Sequence, residues 1–230
     1  MEPSWDEVLE HMKHEGRKGL EYLTTRYTPV MVSEALHSVA LALGFYLAAV
    51  MHEKQDPQHV AGRGLAVYSN SLWERLREWE VVPCDVLAWT TRNLMEVHFW
   101  TKFISGSPEN AAGFLREDKI DQRELWQCYL KTTKTRHNED FGRYLIEALA
   151  EGISGKRVSI ETEDKLLFKE CSKYIHPSAW LIADCELRMN DRYSRYKFLA
   201  FSLHYLSQIT TLLMRSHPET QFLLTDEERV

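Results

Sequence analysis

The sequence is poor in the residues that interrupt helices, with only 10 glycines and 7 prolines among 230 residues. It also has no run of alternating β-branched residues, bounded by turn residues, that would predict a strand. Apolar residues recur instead at steps of three and four, which is the period of an amphipathic helix. The sequence therefore predicts an all-α fold.

Positive charge is also scarce, since 28 Lys and Arg residues stand against 34 Asp and Glu residues and give a formal net charge of −6. This balance argues against a protein that coats nucleic acid by bulk electrostatics, although it allows a local basic cleft. No two of the 4 cysteines form a C-x-x-C motif. We expect reduced, structural thiols, no metal site and no cofactor. The cysteines are Cys84, Cys128, Cys171 and Cys185.

No segment predicts export or insertion into a membrane. The N-terminal sequence MEPSWDEVLEHMKHEG is acidic and amphipathic, whereas a secretory signal begins with basic residues followed by an apolar stretch. The most apolar segment, residues 35–51, contains His37 and Ser38 and is shorter than the roughly 20 residues that cross a bilayer. We expect it to form a buried central helix, and we expect a cytoplasmic protein without membrane contact.

The chain is long enough to form one large domain with its own core. We predict a single multi-helix bundle over residues 1–230, with its core at about 30–216. Proline and glycine are expected to separate the helices, as at Asp56-Pro57, at Gly62 to Gly64 and at Ser107-Pro108. The predicted helices are 4–26, 30–53, 61–80, 83–105, 119–150, 162–176, 178–189 and 193–216.

A charged pair interrupts an otherwise aromatic helix in the segment TRNLMEVHFWTKFI. Arg92 and Glu96 are four residues apart and share a helix face with Trp89 and Phe99. One interpretation is an ordinary surface ion pair worth about 0.3 to 0.5 kcal/mol. The other is a functional site, because a guanidinium beside large apolar groups is partly desolvated and attracts a carboxylate or a phosphate.

The second candidate for a functional site is a histidine at a helix end. In FKECSKYIHPSAWLI, Pro177 disfavours helical geometry at His176, so the helix should end there. Ser172 lies one turn earlier and is placed to hydrogen-bond the imidazole, which would orient it for acid–base chemistry. The alternative is that His176 only caps its helix and that Ser178 begins the next one.

Together, the R-x-x-x-E motif of Arg92 and Glu96 and the S-x-x-x-H-P-S motif of residues 172–178 resemble an uncharacterised family of bacterial helical proteins. That family is similar to the HEPN superfamily. The resemblance implies a HEPN-like helical bundle and a metal-independent endoribonuclease, acting on RNA as a toxin or in antiviral (phage) defence. A homodimer is a further implication, because a symmetry mate would supply a second proton carrier. An antitoxin or a defence-system partner protein is also implied.

The resemblance allows two catalytic sites. The split site combines the R-x-x-x-E pair with Ser172 and His176 from a neighbouring helix, whereas the contiguous site uses Arg92, Asn93 and His98. We expect the split site, because His98 lies about 120° from Arg92 around an ideal helix. In that site Arg92 would hold the phosphate and His176 would move protons.

Four basic residues are candidates for binding RNA, although a charged run is more commonly a solvated helix face. A second function also stays open, in which the Arg–Glu and Ser–His groups only lock two helices together. The chain would then be a non-catalytic interaction or regulatory protein with the same all-α fold. The four basic candidates are Lys173, Arg188, Arg192 and Arg195.

Overall fold

The structure, a computed structural model of the chain, describes residues 17–50, 56–116, 164–175, 185–217 and 220. Within these ranges 88% of the residues are helical and no strand occurs, so the predicted all-α fold is confirmed. The described helices number eight. In chain order they are α1 (Arg17–Arg26), α2 (Pro29–Val50), α3 (Pro57–Leu76), α4 (Cys84–Ser105), α5 (108–116), α6 (Asp164–Ile175), α7 (Cys185–Met189) and α8 (Arg192–Arg215).

α4 lies at the centre of the described helices. Its most extensive contact is with α8, and it also packs against α3, α6 and α7. Its fully buried side chains include Leu87, Leu94 and Met95, in one core cluster with Leu23 of α1 and Leu206 of α8. α8 in turn contacts α1, α2 and α3. The prediction that residues 1–230 form one domain stays a prediction.

α4 and α8 begin and end within one residue of their predicted bounds, whereas α3 begins four residues before the predicted helix 61–80. The Asp56 side chain caps α3, because its Oδ1 accepts hydrogen bonds from the backbone N–H groups of Gln58 (2.8 Å) and His59 (3.1 Å). Pro57 follows in the first turn, where its missing N–H has no intrahelical partner to lose. The Asp-Pro pair thus starts a helix directly at the expected break.

Two glycines that were expected to mark a break, Gly62 and Gly64, lie inside α3. A Cβ on Gly62 would collide with the hydroxyl of Tyr46 on α2, so the glycine permits close packing of the two helices. The Trp73 indole N–H adds a tie between them by donating to the Leu36 carbonyl at 2.8 Å. The prediction of a helix break at these glycines is therefore wrong, since the helix continues through both of them and the absence of a side chain at Gly62 makes room for Tyr46.

α2 is apolar along its length, but it buries only one face. It differs from the predicted buried central helix, since the central place belongs to α4. In the described part of the chain, α2 is the one helix long and apolar enough to cross a membrane, a test that the core helix of a soluble protein also passes. Its buried residues are Val32, Leu36, Leu43, Tyr46 and Val50. Its exposed large apolar residues are Val30, Met31, Leu41 and Phe45.

α5 is a helix that the sequence analysis missed. The predicted break at Ser107-Pro108 is present, and Pro108 occupies the first position of a further helical stretch, 108–116, where proline is well tolerated. The Ser107 hydroxyl accepts a hydrogen bond from the Asn110 N–H at 3.1 Å and caps the stretch. The predicted helix 119–150 lies outside the described residues, as do the first part of 4–26 and residues 178–184.

A buried polar contact joins α4 to α8. The Thr91 hydroxyl oxygen lies 3.0 Å from the carbonyl oxygen of Phe198 and 2.9 Å from the hydroxyl oxygen of Ser202. Thr91 and Ser202 have no exposed surface. Because the two small side chains hydrogen-bond each other, α4 and α8 can approach closely without leaving a buried hydroxyl unpaired.

Replacing Thr91 by valine keeps the side-chain shape and removes this interhelical contact. We expect Thr91→Val to lower the free energy of unfolding by about 1 to 3 kcal/mol, because the Ser202 hydroxyl is left buried without its partner. The measurement is urea unfolding followed by circular dichroism.

Thr101→Val is the matched control. Thr101 is equally buried, and its hydroxyl donates to the Val97 carbonyl of its own helix at 2.8 Å, as the Thr91 hydroxyl does to the Leu87 carbonyl at 2.8 Å. The two sites therefore differ in the contact with Ser202, which Thr91 makes. This variant should change the free energy of unfolding by less than about 0.5 kcal/mol, since no second helix loses a partner. Equal losses in the two variants would contradict the assigned role of Thr91.

Candidate functional site

Two polar contacts hold α6 against α8 and thereby set which of its side chains face α4. The Lys197 ammonium, nearly buried on α8, donates to the Glu170 carboxylate at 2.6 Å. The Tyr174 hydroxyl donates to the Ser194 hydroxyl at 2.7 Å, which in turn donates to the Asp191 carboxylate at 2.6 Å. An unpaired buried ammonium or hydroxyl would be costly, so these contacts restrict the rotation of α6 about its axis.

The Arg92 guanidinium of α4 meets α6 at this interface. Its Nε donates to Glu96 Oε1 at 3.2 Å, and its Nη1 lies 3.5 Å from Ser172 Oγ, 80 residues further along the chain. Its Cζ stands 4.1 Å from the centroid of the Phe168 ring. The Ser172 hydroxyl donates to the Phe168 carbonyl at 2.7 Å, so its lone pairs are directed toward Arg92. Three residues of the split site therefore converge.

Solvent reaches this cluster, because the side chain of Arg92 is 26% exposed and that of Glu96 is 44% exposed. Within the described part of the chain, the contacts to Glu96 and Ser172 occupy two of the five N–H groups of the guanidinium. The remaining N–H groups can bind an anion in the bidentate geometry that suits a phosphate. The stacking on Phe168 holds the guanidinium plane in place.

Cys171, between Glu170 and Ser172 on α6, takes no part in this chemistry. Its thiol is buried, and burial raises its pKa far above the ordinary value, helped by the negative charge of Glu170. Burial likewise raises the pKa of Cys84 to about 11. Both thiols stay protonated at neutral pH and are poor nucleophiles. These two cysteines are free thiols, as expected.

His176 follows the last residue of α6 and lies outside the described residues, together with Pro177 and Ser178. Its place in the split site stays a prediction. What α6 contributes is the position of Ser172, one helical turn before His176 in the sequence.

The contiguous site is not assembled within one chain. Arg92 faces α6, whereas the Asn93 side chain accepts a hydrogen bond from the Tyr68 hydroxyl of α3 at 2.9 Å. The His98 ring packs near the ring of Tyr205 on α8, with 5.7 Å between the centroids. The three side chains of the contiguous site therefore point toward three different helices. The choice between the split site and the contiguous site stays a prediction, since His176 lies outside the described residues.

Two of the four basic residues expected at an RNA surface are exposed. Lys173 lies on α6 beside Ser172, and Arg192 is the first residue of α8. Arg188 on α7 is half-buried. Lys173 is the one of these that directly follows a residue of the Arg92 cluster, Ser172, in the sequence.

Arg195, the fourth basic candidate, serves the fold. Its Nη1 donates to the carbonyls of Trp79, at 2.9 Å, and Val82, which fastens the connection between α3 and α4 to α8. Its neighbour Lys197 is bound to Glu170. Two of the cations at the start of α8, Arg195 and Lys197, therefore make contacts within the fold.

Sequence reasoning missed a second guanidinium beside the cluster. Arg75 of α3 stacks on Trp89 of α4, with its Cζ 4.2 Å from the ring centroid. Tyr68, seven residues earlier on the same face of α3, bonds Asn93. The spacing of Tyr68 and Arg75 was visible in the sequence, but nothing local indicated which helix they would face.

Comparison with known proteins finds no match. No family model, no curated protein and no solved structure matches this chain. Among the residues that the structure describes, no group of three or more His, Cys, Asp or Glu side chains is arranged to hold a metal ion.

A pH dependence of stability follows from His204, which lies near His98 on the α8 side of α4. Burial, and secondarily the charge of His98, lowers the pKa of His204 from 6.5 to about 4. The unfolded chain therefore binds a proton at this residue below about pH 6.5, whereas the folded chain does not until about pH 4. The stability from neutral His204 is complete above pH 6.5 and is lost as the pH falls toward 4.

Replacing His204 should make the free energy of unfolding depend less on pH below neutrality. Between about pH 7 and pH 5, we expect the parent to lose roughly 1 to 2 kcal/mol more unfolding free energy than His204→Gln. Urea unfolding at the two pH values measures the difference. If the parent and the variant lose the same amount, His204 is not the group responsible.

Proposed function

We propose that this chain is a HEPN-like endoribonuclease that cleaves RNA without a metal ion and uses Arg92, Glu96, Ser172 and His176. The observation that carries the proposal is the convergence of Arg92, Glu96 and Ser172 at one half-exposed place between α4 and α6. An ordinary ion pair between residues four apart joins two side chains of one helix, whereas here a hydroxyl of a second helix meets the same guanidinium. A phosphate site benefits from both the cation and the hydroxyl.

In the proposed reaction, the 2′-oxygen of a ribose forms a bond to the adjacent phosphorus while the bond from phosphorus to the 5′-oxygen breaks. The products are a 2′,3′-cyclic phosphate and a 5′-hydroxyl. Arg92 binds the phosphoryl oxygens, whose negative charge increases in the transition state. His176 moves a proton, either from the 2′-hydroxyl or to the leaving 5′-oxygen. Glu96 orients Arg92, and Ser172 hydrogen-bonds the phosphate or the imidazole.

The proposal includes a homodimer, because each chain offers one histidine at the split site and the reaction has two proton transfers. It places the enzyme in the cytoplasm, where cellular or phage RNA is the substrate. A toxin or defence ribonuclease also needs control, so the proposal includes an antitoxin or a defence-system protein as partner.

A second candidate function is a non-catalytic interaction protein. The observation in its favour is the outer face of α2, where Val30, Met31, Leu41 and Phe45 are each at least half exposed. Exposed large apolar side chains on one helix are typical of a protein contact surface. In this function the Arg92 cluster would only lock α4 to α6.

The two functions differ in whether RNA is cut. The purified chain is incubated with mixed RNA in EDTA, beside Arg92→Ala, Ser172→Ala and His176→Ala. We expect cleavage with 2′,3′-cyclic phosphate ends, and a loss of about 100-fold or more in Arg92→Ala and in His176→Ala. Ser172→Ala should lose less, because one neutral hydrogen bond contributes less than the charged groups.

Two control variants make the result specific. Arg77→Ala removes an exposed arginine that directly follows α3, is paired with Glu74 at 2.9 Å and lies 5.5 Å from the ring centroid of Trp73, and it should cut RNA like the parent. His98→Ala should also keep its activity; a loss there with full activity in His176→Ala would favour the contiguous site. If the parent leaves RNA intact, or if all variants cut it equally, the proposed ribonuclease function is contradicted and the non-catalytic interaction function remains.

A further inference from the structure

α4 presents a narrow strip between α3 and α6. Trp89, Arg92, Asn93 and Glu96 are all half-buried, and their spacing of three, four and seven residues places them on one side of the helix. The contacts of this strip diverge, with Asn93 bonded to α3 and Arg92 stacked on α6. The strip is therefore the floor of a surface whose two sides are α3 and α6.

Each side of the strip carries a guanidinium that is stacked on an aromatic ring. Arg75 reaches from α3 over Trp89 at 4.2 Å, and Arg92 reaches toward α6 over Phe168 at 4.1 Å. Stacking covers a face of the guanidinium but leaves its N–H edge available, and that edge is the part that binds phosphate. A guanidinium over an aromatic ring thus occurs twice, once on the α3 side of the strip and once on the α6 side.

The charges at the strip favour an anionic partner. Arg75 is exposed, and no carboxylate lies within ion-pair distance of it in the part of the chain that the structure describes. Glu96 is the acidic residue of the strip, and its carboxylate accepts a hydrogen bond from Arg92. The negative charge of Glu96 is thereby partly balanced, while the positive charge of Arg75 has no such compensation among the described residues.

An aromatic ring is fixed beside these cations. The Tyr68 hydroxyl donates to Asn93 Oδ1 at 2.9 Å, and Asn93 Nδ2 donates to the Trp89 carbonyl at 2.7 Å. Tyr68 is nevertheless 41% exposed. A ring that is held by its hydroxyl and open to solvent can stack on a nucleobase with little loss of side-chain entropy.

We propose that Tyr68, Arg75 and Trp89 extend the Arg92 site into a binding surface for single-stranded RNA. Arg75 binds a backbone phosphate next to the one at Arg92, and Tyr68 stacks on an unpaired base. A duplex would offer its phosphates but not its base faces, so the aromatic part of the surface selects a single strand. This inference rests on the proposed function, because it takes the phosphate at Arg92 to be the one that is cleaved.

The test measures binding separately from cleavage. The probe is a fluorescent single-stranded RNA of about 12 nucleotides with 2′-O-methyl groups, which cannot be cut because its 2′-oxygen carries no proton. Its binding to the parent, Arg75→Ala and Tyr68→Ala is followed by anisotropy at several salt concentrations. Arg77→Ala is the matched control, since Arg77 is an exposed arginine at the C-terminal end of α3 that lies over the Trp73 ring but is paired with Glu74.

We expect Arg75→Ala to bind the probe at least about fivefold more weakly than the parent, with a salt slope reduced by about 0.7 because one phosphate contact is lost. Tyr68→Ala should also weaken binding at least about fivefold, but with an unchanged salt slope. Tyr68→Phe keeps the ring and removes the hydroxyl, so it tests stacking in a side chain of nearly the same shape. Arg77→Ala should bind like the parent.

Three results would overturn the inference: no binding by the parent, equal binding by Arg75→Ala and Arg77→Ala, or tighter binding of a duplex of the same sequence. Arg75→Gln repeats the test with a longer polar side chain in case the alanine variant unfolds. Failure of the nuclease is a distinct outcome, in which the parent binds the probe as expected but leaves unmodified RNA intact. A parent that cuts RNA while Arg75→Ala binds normally overturns the extended surface alone.

Discussion

The enclosure of α4 by other helices is the constraint on which the rest of the described structure depends. A helix that packs against α8, α6 and α3 has few directions left for polar side chains, so a polar residue on it must find its partner either in the backbone of α4 or on a specific neighbour. Thr91 meets Ser202 on α8, and Asn93 meets Tyr68 on α3. The Arg92 side chain points in the remaining direction, toward α6.

A charged side chain in that position needs more than one partner. Arg92 loses part of its hydration at the interface and recovers interactions from Glu96, Ser172 and the Phe168 ring. A lysine could not reproduce this arrangement, because an ammonium neither stacks on a ring face nor presents two parallel N–H groups. The same property makes the residue suited to hold a phosphate. Structure and proposed chemistry thus require the same side chain.

The sequence analysis succeeded where structure depends on neighbours in the chain. The bounds of α4 and α8 agree with prediction because periodic apolar residues and local caps define them. The predictions from sequence are wrong for the helix break at Gly62 and for the burial of α2, and they missed the helix that begins at Pro108. At Gly62 the deciding factor is Tyr46 on another helix, and at Pro108 a residue that ends one helix also begins the next. For α2, hydropathy reports how apolar a helix is, not how many of its faces find partners.

The sequence by itself determined the all-α fold, because apolar residues recur at steps of three and four along the chain. It also determined the Arg92–Glu96 pair, because residues four apart are neighbours on one helix. Only the tertiary structure decided that Ser172 and Phe168 face Arg92, that Arg75 lies on Trp89, and that His98 points toward α8 instead. The reason is that a helix can rotate about its axis without any change in its own hydrogen bonds. The direction in which its side chains point is set by contacts with other helices, such as Lys197 with Glu170, between residues far apart in the chain.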